Sequence, residues 1–329
     1  MRKALLLLAA VAAALLAPAA PASAHGGDAP DATAYRTEVT ALTPAMSGLH
    51  VRAVEAGARL ELRNDTGRTI EVLGYAGEPY LEVRPDGTYE NVNSPATYLN
   101  RTLDGDTPVP AGADPGAAPT WRRVSTGTTV RWHDQRARWL GADPPPAAVS
   151  DPSRTHRLRD WAVPLRDQAR TLQVRGTLDW VPPPPAWLWW AGAALLAVAV
   201  AALGRRGARP VTLVAVTALI AYAVLRAVDT RTFDPVPVVV ALAALLPVLR
   251  RGPFLIALGG AVLAVFGGLA DVAVFGDAVV PVAGPSWTAR AAVLIALGAG
   301  AGLVAVGVRQ LRAAGTAVSP APGTAAARD

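Results

Sequence analysis

The pattern of apolar and polar positions changes twice along the chain. Residues 1–24 hold one short apolar run, residues 25–182 alternate in short stretches, and residues 183–312 carry long unbroken apolar runs. In the middle region Leu49-His50-Val51-Arg52-Ala53-Val54 and Ala58-Arg59-Leu60-Glu61-Leu62-Arg63 both alternate. Asn64-Asp65-Thr66-Gly67 then reads as a turn, and Thr69-Ile70-Glu71-Val72-Leu73 resumes the alternation. A period of two puts one face on a core and the other in water, which predicts strands. Tyr80-Leu81-Glu82-Val83-Arg84 is a further strand, closed by Pro85-Asp86-Gly87, where proline presets φ and glycine accepts a positive one. Residues 121–124, 128–132, 161–164 and 171–179 complete the candidates, and helical periodicity is missing throughout. Short strands at this spacing predict an antiparallel β-sandwich, immunoglobulin-like in the broad sense. Residues 91–118 and 142–152, rich in Asp, Gly and Pro, read as loops.

Four prolines at 182–185 form a stiff spacer, followed by Trp187, Trp189 and Trp190 as an interfacial belt. Five spans are then predicted: about 187–203, 211–225, 236–249, 254–275 and 291–308. With the β domain outside, the inner loops hold Arg205, Arg206, Arg209, Arg250, Arg251, Arg309 and Arg312. The outer loops hold mostly Asp, with Arg231 and Arg290 as exceptions, so the positive-inside rule is met. Gly298 and Gly302 make a G-x-x-x-G pair suited to close helix approach. Asp271 is an intramembrane carboxylate with Arg290 or Arg226 as candidate partners.

The start of the chain sets the compartment. Arg2 and Lys3, an apolar stretch at 4–16 and the small-residue box Ala22-Ser23-Ala24 make a secretion signal cut before His25. The expected organisation is a signal peptide at 1–24, an extracytoplasmic β-sandwich domain at 25–182, a five-span bundle at 183–312 and a disordered cytoplasmic tail at 313–329. The expected location is the cell membrane, multi-pass, with the N-terminal domain outside and the C-terminus in the cytoplasm.

Charge changes one reading. The net charge is +6, yet residues 25–182 hold 18 Arg against 20 Asp and Glu. The excess base lies in the signal, the membrane loops and the tail, so topology explains it and a nucleic-acid partner is excluded. Cysteine is absent, which removes disulfides, thiolate metal sites and thiol redox chemistry. A single Lys amid abundant Ala, Arg, Gly and Pro suggests a high-GC bacterium.

Candidate chemistry centres on histidine. Cleavage after Ala24 leaves His25 with a free α-amine and an imidazole, two nitrogens that can chelate one metal ion. A second imidazole completes a planar nitrogen set that suits Cu(II). His133 is the first choice for that partner, with Asp134 as an orienting or axial group, and His156 and His50 follow. The segments 131–139 and 153–161 are dense in Trp, Arg, Asp and His; the plain structural reading has Trp in the core and Arg–Asp pairs on the rim. Nothing matches a nucleophile elbow, zincin, P-loop or dinucleotide motif, so catalysis is not expected.

The His25 start, the β-rich domain and the following helices resemble copper-resistance CopC-type proteins, small exported β-sandwiches whose mature chain begins with His. That resemblance implies copper. In fused importers of that kind the membrane helices carry further metal ligands, whereas residues 183–312 hold no His, Met or Cys. The phrases Tyr89-Glu90-Asn91-Val92-Asn93-Ser94-Pro95-Ala96-Thr97-Tyr98-Leu99-Asn100 and Trp132-His133-Asp134 are similar to a family of exported actinobacterial membrane proteins. This second resemblance implies a fold and a location. The expected function is a membrane-anchored extracytoplasmic protein that binds an envelope protein or ligand without catalysis. The alternative is a copper-binding envelope protein using His25, His133 and His156, and the third reading is an envelope transporter or enzyme.

Overall fold

A computed structural model describes residues 30–250 and 252–316. The expected signal peptide, His25 and residues 317–329 lie outside the described residues. Two compact units form. One holds 30–184 together with Asp277–Ser286; the other holds Pro185–Gly276 and the chain from Trp287.

The first unit is built of strands β1 (Tyr35–Thr43), β2 (Leu49–Val54), β3 (Arg59–Asn64), β4 (Ile70–Leu73) and β5 (Pro79–Arg84). They continue with β6 (Gly87–Asn91), β7 (Trp121–Ser125), β8 (Thr129–Trp132), β9 (His156–Asp167) and β10 (Arg170–Trp180). Two single-turn helices, α1 (Ala96–Leu99) and α2 (Pro146–Ser150), lie in the two expected loops. All pairings are antiparallel, in a seven-stranded sheet of order β1-β10-β9-β4-β5-β6-β7 and a three-stranded sheet β2-β3-β8. Leu60, Leu62, Val130 and Trp132 of the small sheet share one core with Ile70, Val72, Val83, Val163, Leu165 and Val174 of the large one. Each such buried aliphatic side chain contributes about 1.5–3 kcal/mol. Seven strands against three is not the four-and-three arrangement of an immunoglobulin constant domain. The long β9–β10 hairpin sits inside the large sheet, and the β4–β7 meander extends it on one side.

Asp277–Ser286 comes from the helical half of the sequence but packs in this unit. Val279 and Thr33 exchange two N–H···O bonds, both 2.8 Å, just before β1 begins.

The second unit holds α3 (Ala186–Thr230), α4 (Val236–Leu249), α5 (Pro253–Phe266) and α6 (Trp287–Thr316). Among the described residues two helices, 186–230 and 287–314, are long and apolar enough to cross a membrane. A third crossing arises if α5 and the 3₁₀ segment Leu269–Phe275, bent by 44°, form one span. The five separate helices expected are therefore not seen. The first two expected spans lie in one helical run, and α4, with 14 residues, rises only about 21 Å. That is short of a hydrocarbon core of roughly 30 Å. The expected tail also starts later, because 313–316 are helical.

The α3 run is not one straight rod. Gly204 is non-helical at φ 61°, ψ −146°, a conformation open to glycine. A Cβ on Gly298 would lie 2.6 Å from Ala193 O, and one on Gly302 would lie 2.6 Å from Val200 Cβ, so this part of α3 runs parallel to α6. A straight helix would carry Leu219 about 28 Å beyond Val200. Instead a Cβ on Gly267 would lie 3.3 Å from Leu219 Cδ2 and 3.4 Å from Ala296 Cβ, so the chain has turned back. Gly300 seats α5 on a different side of α6, where a Cβ would lie 2.5 Å from Ala264 N. The G-x-x-x-G pair is thus used within the chain, at contacts only glycine permits.

Candidate functional site

The site rests on a buried polar platform at the end of β8. Trp132 enters the core, and the next residues turn under it. The Asp134 carboxylate, fully buried, accepts from Arg136 Nε (2.8 Å), Nη2 (2.8 Å) and N (3.1 Å) and from Trp132 Nε1 (3.0 Å). Arg136 also donates Nη2 to Leu73 O at 3.1 Å, and its guanidinium lies 4.9 Å over the Tyr75 ring. Tyr75 Oη accepts from Gln135 N at 3.0 Å and bonds Asn100. Glu78 accepts from Ser94 Oγ (2.6 Å) and Ala76 N (2.9 Å), while Asn91 donates to Pro79 O (2.7 Å). Buried charge persists only when paired and hydrogen-bonded. The Asp134–Arg136 pair therefore belongs to the interior and not to the rim. Residues of both resemblance phrases serve this framework.

The platform delivers Arg138 and Trp139 to β1. Thr37 Oγ1 donates to Ala137 O at 2.5 Å, which fixes the backbone just before them. A cleft of about 330 Å³ opens there, between Thr33 and Tyr35, the turn 55–58, Leu103-Asp104 and Arg138-Trp139. The Tyr35 and Trp139 rings stack with centroids 6.0 Å apart at 18°. Trp139 Nε1 donates to Asp143 O at 3.1 Å, and Gly141 lies against the indole, where a Cβ would stand 2.7 Å from Nε1. Arg138 Nη1 donates to Leu103 O at 2.7 Å. Burial lowers the pKa of Arg138, and Arg59 lowers it further against the pull of Asp104. The turn is strained: Glu55, Ala56 and Gly57 all have positive φ, at 58°, 56° and 84°. A non-glycine residue held so costs of order 1–3 kcal/mol. Glu55, almost fully buried, holds the turn by ion pairs to Arg131 (2.8 Å) and Arg59.

The histidines go to separate places. His133 is 2% exposed, and its Nδ1 lies 2.9 Å from Ala58 O. A carbonyl only accepts, so Nδ1 carries the proton. Nε2 is buried and has no hydrogen-bond partner among the described residues. Burial, above all, holds the pKa of this ring below its usual value and keeps it neutral. His156 opens β9, donates Nε2 to Asp151 O at 2.7 Å and lies 5.9 Å from the Trp180 ring. Asp160 pairs with Arg157 on the same strand. His50 is exposed on β2. Among the described residues no three His, Cys, Asp or Glu side chains gather where they would hold a metal ion. His133 and His156 bond different carbonyls, Ala58 O and Asp151 O.

Sequence reasoning passed over Tyr35 and the turn 55–58. The Glu55-Ala56-Gly57 break between two alternating stretches was the available signal. No protein-family model matches the chain, and no curated protein or solved structure matches it.

Proposed function

We propose that the protein is a membrane-anchored extracytoplasmic binding module whose ligand enters the cleft at Arg138 and Trp139. The cleft carries this reading. Its volume of about 330 Å³ falls in the range of small-molecule sites, roughly 300–1,000 Å³. It also joins an aromatic wall, charged side chains and a strained turn, a combination that ordinary packing does not require. The helical unit is the anchor. The turn at Gly204 supports two crossings within the α3 run, with Arg205, Arg206 and Arg209 at the inner end, and the exposed Trp187 and Trp190 suit the outer interface. Ligand-observed NMR of the full chain in nanodiscs, against small aromatic fragments, tests the cleft. Asp31→Trp, which fills the cleft, abolishes saturation transfer if the reading is right. Equal transfer in both proteins, or none in either, overturns it.

A second reading, copper binding, is favoured by His133. Its Nδ1–H is pinned to a carbonyl and its Nε2 has no partner among the described residues, the arrangement that presents an imidazole nitrogen to a metal. His25 precedes Pro30 by five residues, a reach of up to about 17 Å, and Pro30 lines the cleft. Cu(II) EPR on the full chain processed after Ala24 tests this. A nitrogen-rich signal lost in His133→Ala supports copper; a signal unchanged by that substitution refutes it.

A further inference from the structure

Three charged side chains of the cleft have no ion pair among the described residues: Arg138, Asp31 and Asp104. The neighbouring charges differ. Glu55 is neutralised by Arg59 and Arg131, Asp134 by Arg136 and Asp179 by Arg157. Arg138 is half-buried, and among the described residues only its Nη1 is used, on Leu103 O. Nε and Nη2 therefore remain as a parallel pair of donors, the geometry that matches a carboxylate. Asp31 and Asp104 are exposed at the rim, where carboxylates attract an ammonium group. The stacked Tyr35 and Trp139 rings add an apolar wall beside them.

Resting on the reading of the cleft as a ligand site, we propose that its ligand is a zwitterion of the amino-acid type. The carboxylate pairs with Arg138, the ammonium group faces Asp31 and Asp104, and the side chain lies on the Tyr35–Trp139 wall. A ligand that carries both charges suits a cleft that holds a guanidinium and carboxylates without ion pairs among the described residues. A simple anion or a simple cation satisfies only half of that set. The dimensions agree, since about 330 Å³ admits one compact ligand and not an extended chain.

The test is calorimetric titration of the full chain in nanodiscs with four probes that share one ring. These are phenylalanine, its amide (cation only), N-acetylphenylalanine (anion only) and N-acetylphenylalaninamide (neutral). The zwitterion is expected to bind at least tenfold more tightly than any of the other three. Arg138→Gln keeps a donor for Leu103 O but removes the charge. It is expected to bring phenylalanine down to the affinity of the amide, and Arg138→Lys is expected to restore part of the difference. If the neutral probe matches phenylalanine while Asp31→Trp blocks both, the cleft is a ligand site and the zwitterion proposal fails. If the anion-only probe matches it, the ammonium half fails and with it the proposal. If none of the probes binds, the zwitterion proposal fails, and the fragment experiment above decides the cleft separately.

Discussion

Removing the Asp134 carboxylate is the sharpest structural test, because the site is mounted on it. Asp134→Ala deletes an acceptor of four hydrogen bonds, three from Arg136 and one from Trp132. It leaves a largely buried guanidinium without its ion-pair partner, since the Arg136 side chain is only 21% exposed. Breaking a buried pair in this way costs about 3–5 kcal/mol. The orphaned Trp132 N–H falls within the same loss or adds about 1 kcal/mol. For a unit of this size 1 kcal/mol moves Tm by roughly 2–4 °C, so a drop of about 10 °C is expected. The assay is thermal unfolding of the full chain in micelles, followed by near-UV circular dichroism of tryptophan. The paired replacement Asp134→Leu with Arg136→Met removes both charges together and is expected to recover most of the loss. A drop under about 2 °C for Asp134→Ala, equivalent to less than roughly 1 kcal/mol, would refute the platform. Equal losses for the single and paired changes would refute the charge argument.

Two further outcomes follow from packing and titration. Gly176→Ala places a Cβ 2.1 Å from Trp161 Cζ2 and 2.3 Å from Glu38 O. It is expected to destabilise the unit by about 2–3 kcal/mol in the same melt, while Gly112→Ala, which meets nothing within 4 Å, is expected to leave Tm unchanged. His133 titrates below its ordinary 6.5 because it is buried. The unfolded chain therefore takes up the proton first, and stability falls as pH drops below about 6.5. Chemical denaturation between pH 5 and 8 should show that slope reduced in His133→Gln; an identical slope would remove the buried neutral ring from the account.

How much could be read in advance depends on whether a residue's role is local. β2, β3 and β5 were legible because one face is core and the next position is polar, as in Leu60-Glu61-Leu62. β1 was missed because threonines and charged residues stand along it, and Thr37 is its one buried position. His156 and Arg157 begin β9 but carry the polar look of a loop; clear alternation starts at Trp161. In the helical half, Arg205, Arg206 and Arg209 suggested a break of several residues. The backbone departs from helix at Gly204 alone, since arginine is a good helix former and glycine makes the turn. The Asp134 pairing was partly legible, because neighbours on an extended segment face opposite ways and His133 and Asp134 do find different partners. The cleft was not legible. Tyr35, Ala56, Asp104 and Arg138 come from four separate stretches, and no period connects them.

The account depends most on the cleft facing outside the cell while the arginine-rich helix ends stay within. The chain has no cysteine, so single cysteines report cleanly. Gly112→Cys lies in open space on the β unit, and Ala314→Cys is exposed near the end of α6. With a membrane-impermeant maleimide on intact cells, the account predicts labelling at position 112 at once and at position 314 only after permeabilisation. Labelling at 314 but not at 112 in intact cells, or at neither site before permeabilisation, would contradict it.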